Sequence, residues 1–394
     1  MTPGALPPPI DAMPLPAPLL LMRVLAWLAT FAWSIPAGLA IGWPMMTVVS
    51  EVIGRGGGNT SMRRLAAWLA RRTAGAVALA TVMGVAPLVI DSVLHAPVLV
   101  PAAQHMGWFV LAAVVLLLVG CGSTYWVALR RRGAEPSALR SFMPDAVERY
   151  MLAFWRRGLE KRGLVMEATA AASLLGVGFV LIAHDVTAAN PALWGPAAPH
   201  PDGLLLPLKD PQLLPRLLQA LLGSVSLSAL IVAWHGSDRA AGVEAGYGRT
   251  ALKAGVGWFA GATALQAVTG PWLLFSLPAA AKGLALGGSH WVTAAAWGGA
   301  GAGAVALVLL LVAGAAREPR PLVRIAAGFS ALQLAAHTAA AQAARWEMLG
   351  GAARLAERPV SFQPVMAWIF VGALVVGGAT MGTVLLAGRL RGEE

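Results

Sequence analysis

Apolar residues gather into nine runs along the chain, at 24–50, 74–98, 106–129, 165–184, 217–235, 252–280, 290–315, 322–344 and 364–388. Each reaches the ~20 apolar residues that a helix needs to cross a bilayer. Lipid offers backbone groups no partner outside helices and closed barrels. The pattern therefore predicts an all-α fold, a polytopic transmembrane helical bundle of about nine spans. The basic residues are sorted as well: most of the 29 Lys+Arg lie in the turns after the first, third, fifth, seventh and ninth runs. The positive-inside rule then places the N-terminus outside and the C-terminus in the cytoplasm.

The connections add detail. Residues 1–17, rich in proline and without a basic stretch before an apolar core, read as a disordered outer tail rather than a cleavable signal. The remainder, 18–394, reads as one transmembrane bundle. Pro36 and Pro44 predict a kink in the first span. The connection 130–163 carries Asp145 and Glu148 as a capping box. Val147, Met151, Phe154, Trp155 and Leu159 follow at helical spacing, beside Arg149, Arg156, Arg157 and Lys161. Such a helix lies on the inner membrane surface or packs on the bundle as a linker. The loop 185–215 has the composition of an outer cap or docking segment. Gly298, Gly299, Gly301 and Gly303 predict close helix packing at the seventh span. No internal repeat points to an inverted-repeat transporter.

Composition narrows the class. Apolar residues make up 58% of the chain, charged residues 12%, and there is one cysteine, Cys121. An intrachain disulfide, a cysteine-based zinc site and covalent haem attachment are thereby excluded. The net charge of +11 sits at helix ends, where anionic headgroups are its partner, so nucleic acid is not a partner. Arginine in place of lysine, with abundant alanine and glycine, reads as GC-rich bacterial coding. The expected location is therefore a bacterial cytoplasmic (inner) membrane. Trp108, Trp194, Trp291 and Trp346 fall near one boundary and Trp68, Trp126, Trp155 and Trp234 near the other, as aromatic belts do.

The candidate chemistry lies in the histidines. His95, His105, His184, His200 and His290 fall near or beyond the outer ends of their spans, where imidazole can ligate haem or metal or carry protons. Boundary histidines are equally ordinary amphipathic residues. His337 lies within a span, in a polar stripe with Gln333, Thr338 and Gln342, and an ionisable residue there is a functional candidate. Asp91 stands four residues before His95, as a solvated helix-end pair or a ligand-orienting one. Glu167 reads as the partner of a nearby arginine. There is no P-loop, no HExxH and no nucleophile elbow, so no catalytic residue is assigned and no metal site is expected.

The run R-V-L-A-W-L-A-T-F-A-W-S-I-P-A-G-L-A-I-G (Arg23 to Gly42) resembles the first helix of cytochrome bd-type quinol oxidase subunit I. The stretch D-P-Q-L-L-P-R-L-L-Q-A-L-L-G-S (Asp210 to Ser224) resembles the region that opens the family's fifth helix. The second and third spans share its layout and lengths. In that resemblance the first haem-ligand histidine falls on Trp33 and the second on Gln219, neither an ordinary iron ligand. The third ligand position falls at or beside His105. The quinol-binding loop is reduced to the turn near Ala281–Gly288, and helix three lacks the acidic proton-path residues.

The resemblance, with these departures, implies a bd-like bundle without oxygen-reductase chemistry. The expected function is an integral membrane subunit of a respiratory-type electron-transfer complex. It would pass electrons between quinol or b-type haem and a periplasmic c-type cytochrome. The candidate cofactors are haem b or quinone, or none, with His105, His184, His337 and His95 as candidate contacts. Other membrane subunits and the lipid bilayer are its remaining partners. A cofactor-free structural or anchor subunit is the first alternative, favoured by Trp33 and Gln219, and a permease the second.

Overall fold

A computed structural model describes residues 14–131, 145–194, 202–350 and 358–361, with single positions at 372, 375 and 379. Among the described residues the fold is all-α, with nine α-helices. They are α1 (Leu19–Gly56), α2 (Thr60–His105), α3 (Gly107–Arg131), α4 (Asp145–Ala189) and α5 (Leu213–Asp238). The remainder are α6 (Ala245–Ser276), the single turn α7 (Ala279–Gly283), α8 (His290–Ala315) and α9 (Arg320–Gly350).

The expected count of nine spans is corrected by the helices themselves. Six are long and apolar enough to cross a membrane: α1, α2, α3, α4 from Gly163, α5 and α8. Helices α6 and α9, the expected spans 252–280 and 322–344, fall short. Gln266 and a series of Gly and Thr residues dilute α6, and Gln333, His337 and Gln342 dilute α9. The ninth expected span, 364–388, lies outside the described residues apart from three single positions. The topology built on nine spans, with termini on opposite sides, loses its basis with that count.

Helices α1 to α4 pack as one four-helix group and α5, α6, α8 and α9 as another, with α1 against α5 as the main seam. Local sequence explains the junctions. Gly58, at φ +63°, lets the chain turn after α1, and the Asn59 side chain caps α2 by accepting from the Met62 amide at 3.1 Å. At the seam, a side chain at Gly42 would strike Ser224 and Ser228 of α5, so only glycine permits this approach. Trp43, Met46, Leu69, Val232, Leu252, Phe259 and Leu310 form the largest apolar core across both groups. Facing outward on α3, Leu111, Val114, Val115 and Leu118 are each more than half exposed at helical spacing, as a lipid-facing stripe is.

Four expectations about kinks and connections change. Helix α1 runs unbroken through Pro36 and Pro44, whereas α2 breaks at His95, where φ −120° and ψ 17° leave the helix two residues before Pro97. The amphipathic stretch expected within 130–163 is not a separate element: from Asp145 it continues directly into the fourth span as α4. The tail expected through residue 17 already takes part in structure at Leu15, which is buried and pairs in parallel with Val360. The loop expected at 185–215 narrows to the stretch between α4 and α5. Its residues 203–205 bond back to the α2–α3 junction: Leu205 N–H donates to His105 O at 2.9 Å and Trp108 N–H to Gly203 O at 3.2 Å.

Candidate functional site

The kink in α2 opens the most polar region of the interior. Pro97 has no N–H, so the Val93 carbonyl one turn back loses its helical donor. Arg358 takes over, donating to Val93 O at 2.9 Å and Leu94 O at 3.0 Å. Leu15 and residues 359–361 clip this arginine in place through two backbone bonds of 2.8 Å. Beside the kink, Arg345 of α9 bridges two carboxylates, Asp91 of α2 and Asp185 of α4, each at 2.6 Å. Asp185 also receives Arg216 of α5 at 2.6 Å, and Arg216 is steadied by Gln212 at 2.8 Å. One network therefore ties α2, α4, α5 and α9 together. Each carboxylate has an arginine, as largely buried charges require.

His95 and His184 flank this network. The His95 ring is fully buried, its Nδ1 lies 3.9 Å from Asp91, and neither ring nitrogen has a hydrogen-bond partner among the described residues. Asp91, expected as the partner of His95, is instead the partner of Arg345. His184 Nε2 lies 3.2 Å from the Leu99 carbonyl, which fixes that nitrogen as the N–H donor. The other two candidates stand apart. His105 Nδ1 bonds the Pro101 carbonyl of its own helix at 2.9 Å, and His337 Nδ1 bonds Gln333 O at 3.0 Å. No hydrogen bond or ion pair among the described residues joins any two of the four histidines.

The polar stripe of α9 is a packing surface. A Cβ on Gly299 of α8 would lie 2.9 Å from His337 Nδ1, and one on Gly303 would lie 2.6 Å from Gln333. Gly298 and Gly301 face nothing within 4 Å. Thus two of the four glycines admit the α9 side chains. Gln342 donates to Thr30 Oγ1 at 2.9 Å, and Thr338 receives the Trp27 indole N–H at 3.2 Å, so the same stripe also fastens α9 to α1.

The positions where the resemblance puts haem ligands are likewise used between helices. Trp33 Nε1 donates to Ala80 O of α2 at 3.0 Å, with its indole lying over Gly84. Gln219 Oε1 accepts from Thr269 Oγ1 of α6 at 2.7 Å. Neither residue is an iron ligand in type, and each is engaged with a neighbouring helix. These residues do not fit a haem held as in the bd-type pattern. Among the described residues, no group of three or more His, Cys, Asp or Glu could hold a metal ion.

A second polar cluster sits between the α1–α2 turn and the α5–α6 turn. His235 stacks on Trp68 at 3.9 Å between ring centroids, and its Nε2 is 3.0 Å from the Tyr247 hydroxyl. Arg64 lies over the Tyr247 ring and pairs with Glu244, which Arg239 also reaches at 3.3 Å. The Arg64 hydrogen bond holds the exposed Glu244 carboxyl below its ordinary range.

Sequence reasoning missed Arg345, Asp185 and Arg216. The available signal was three ionisable residues at the ends of apolar runs, since each such group needs a partner. Which arginine meets which carboxylate depends on helix order, which spacing does not encode.

No protein-family model matches this chain, and no curated protein matches it. Among solved structures it resembles a chain of the bd oxidase from Geobacillus thermodenitrificans, with a TM-score of 0.66 and 15% sequence identity. The match covers 96% of this chain and 100% of that one. This is a polytopic helical membrane protein with the fold of a bd oxidase chain.

Proposed function

We propose that this chain is a cofactor-free structural subunit, an anchor, of a complex in a bacterial inner membrane. The observation that carries the reading is the fate of Trp33 and Gln219. At the two positions where the resemblance calls for iron ligands, the side chains bond to neighbouring helices instead. A bundle that spends its interior polar groups on its own helices is suited to holding other membrane subunits in place. The arginine–carboxylate network across α2, α4, α5 and α9 serves the same end.

The test is purification from native membranes with an affinity tag. The expected result is co-purification with membrane partners, a colourless isolated chain, and loss of the assembled complex when the chain is deleted. A Soret band stoichiometric with the isolated chain, reduced by dithionite, would overturn the reading.

The electron-transfer reading draws its support from His95, whose buried ring nitrogens have no hydrogen-bond partner among the described residues and keep the capacity to ligate. The same spectrum separates the two, and His95→Phe would abolish any band that arose from this residue. A periplasmic cytochrome would have to dock on the 185–215 loop, where residues 203–205 are already committed to α2 and α3.

A further inference from the structure

The polar cluster at the α1–α2 and α5–α6 turns passes its hydrogens in one direction. The Arg239 guanidinium can only donate, so His235 Nδ1, 2.9 Å away, is the acceptor. In the neutral imidazole the hydrogen then sits on Nε2, which donates to the Tyr247 hydroxyl oxygen at 3.0 Å. Tyr247 keeps its own O–H, and no acceptor among the described residues receives it.

Cations outnumber anions around that hydroxyl. The Arg72 guanidinium lies over the Trp68 ring, 4.8 Å from its centroid, and Arg64 lies over the Tyr247 ring at 4.4 Å. Aromatic faces thus hold both guanidiniums in place. Arg71 and Arg239 lie within electrostatic reach of Arg72. Nearby carboxylates are already engaged: Glu244 with Arg64 and Arg239, Glu51 with Arg55, and Asp238 with Arg320. Among the described residues no carboxylate pairs with Arg71 or Arg72. Arg64, Arg71, Arg72 and Arg239 therefore share the single charge of Glu244, and the cluster holds an excess of positive charge.

Position along the helices selects the kind of anion. Arg71 and Arg72 are exposed and stand just before the apolar run 74–98 of α2, while His235 closes the run 217–235 of α5. Both helices are long and apolar enough to cross a membrane. The cluster therefore lies at the level of the lipid phosphates. Trp234, beside His235 in sequence, is 36% exposed, as a tryptophan at that level is. A phosphodiester brings acceptors, a negative charge and no donor, which complements this wall. A zwitterionic headgroup adds an ammonium that the arginines repel.

We propose that Arg71, Arg72, Arg239 and the Tyr247 hydroxyl form a site for the phosphodiester of an anionic phospholipid, at the junction of α2, α5 and α6. The site is independent of whether the chain serves as an anchor.

The experiment titrates phosphatidylglycerol into phosphatidylcholine nanodiscs that hold the full-length protein. Retained lipid is counted by native mass spectrometry, and melting is followed in parallel. The expected result is one phosphatidylglycerol retained in preference to phosphatidylcholine, a Tm that rises with its fraction, and no displacement by excess inorganic phosphate. Arg71→Gln and Arg72→Gln should each weaken retention about tenfold, the loss of one charged hydrogen bond. Tyr247→Phe keeps the ring under Arg64 and should weaken it about fivefold, the loss of a neutral donor. Should that buried variant fail to fold, the two exposed arginine variants carry the test. Arg320→Gln, which removes a charge paired with Asp238, should leave retention unchanged. Equal retention of the two lipids overturns the proposal. So does an Arg320→Gln loss as large as that of Arg72→Gln, which would mean diffuse attraction to the surface. Displacement by inorganic phosphate would assign the cluster to a free anion and overturn the lipid site.

Discussion

Arg345 is the residue whose loss should cost the fold most, and the reason lies in how its partners are shared. Among the described residues it is the one arginine paired with Asp91, at 2.6 Å, and the other neighbour, His95, stands 3.9 Å away. Asp185, by contrast, has both Arg345 and Arg216 at 2.6 Å. Replacing Arg345 with Met keeps most of the side-chain volume but strands Asp91 in a largely buried site. Breaking a buried pair from one side costs about 3–5 kcal/mol. Arg216→Met leaves Asp185 with Arg345, so its cost should fall to about 1–2 kcal/mol, nearer to the loss of one charged hydrogen bond. Arg320→Met removes a bridge to Asp238 of similar length, 2.7 Å, but at an arginine that is 58% exposed. It should cost under about 1 kcal/mol. Unfolding of the three variants in mixed detergent micelles, followed by tryptophan fluorescence, gives the ranking directly. The double variant Arg345→Met/Asp91→Asn should recover part of the Arg345→Met loss, because the stranded charge is gone. An Arg345→Met cost no larger than that of Arg320→Met would refute the reasoning, as would an Arg216→Met cost exceeding it.

Other interior contacts give sharper local contrasts. Gly299→Val should separate α8 from α9 and destabilise the protein by about 1–3 kcal/mol through overpacking against His337, while Gly301→Ala, facing nothing within 4 Å, should be neutral or stabilising; paired melting curves decide. Trp33→Phe removes the N–H donated to Ala80 O and should cost about 1 kcal/mol, the scale of an interhelical hydrogen bond in a membrane, measurable by the same unfolding assay. Glu244 has a folded pKa below its unfolded one, so its contribution is fully present above the ordinary carboxylate range and disappears as pH falls through the lowered value. Wild type and Glu244→Gln should therefore differ in Tm at neutral pH and converge in acid, as a pH series of melting curves will show.

Much of the fold was legible because lipid imposes one rule along the whole chain. Apolar runs long enough to span predict helices, and eight of the nine expected runs coincide with described helices. Counting spans failed where polar residues serve the interior. Gln266, Gln333, His337 and Gln342 lower the apolarity of α6 and α9 while facing other helices. The kink was misplaced for a related reason. Pro36 and Pro44 predict a kink, yet α1 keeps helical backbone through them, whereas α2 leaves it at His95, ahead of Pro97 and with Arg358 placed to satisfy the freed carbonyls. That arginine lies more than 260 positions away, beyond any local pattern. Of the candidate site, Asp91, His95 and His184 were visible as residue types. Their partition into an arginine network and a histidine without a partner was not, because it requires knowing that α9 returns to lie beside α2 and α4.

The distribution of polar contacts explains how such a bundle can keep its fold without iron ligands at Trp33 and Gln219. Between helices in lipid the hydrophobic effect gives little preference for one register over another, since tails are as apolar as side chains. Directional bonds and close-fitting small residues must then set it. This chain places such devices at several seams. Trp33 to Ala80 joins α1 and α2, Gln219 to Thr269 joins α5 and α6, and Gln342 to Thr30 joins α9 and α1. Gly299 and Gly303 seat His337 and Gln333 between α8 and α9. A haem iron bridging two helices would set register in the same way, through fixed geometry at a buried point. On the proposed reading, a tryptophan or glutamine bond at these positions would supply that constraint without a redox centre. The positions of Trp33 and Gln219 in this bundle follow that logic, which is why their hydrogen bonds weigh more in the functional reading than the number of histidines near them.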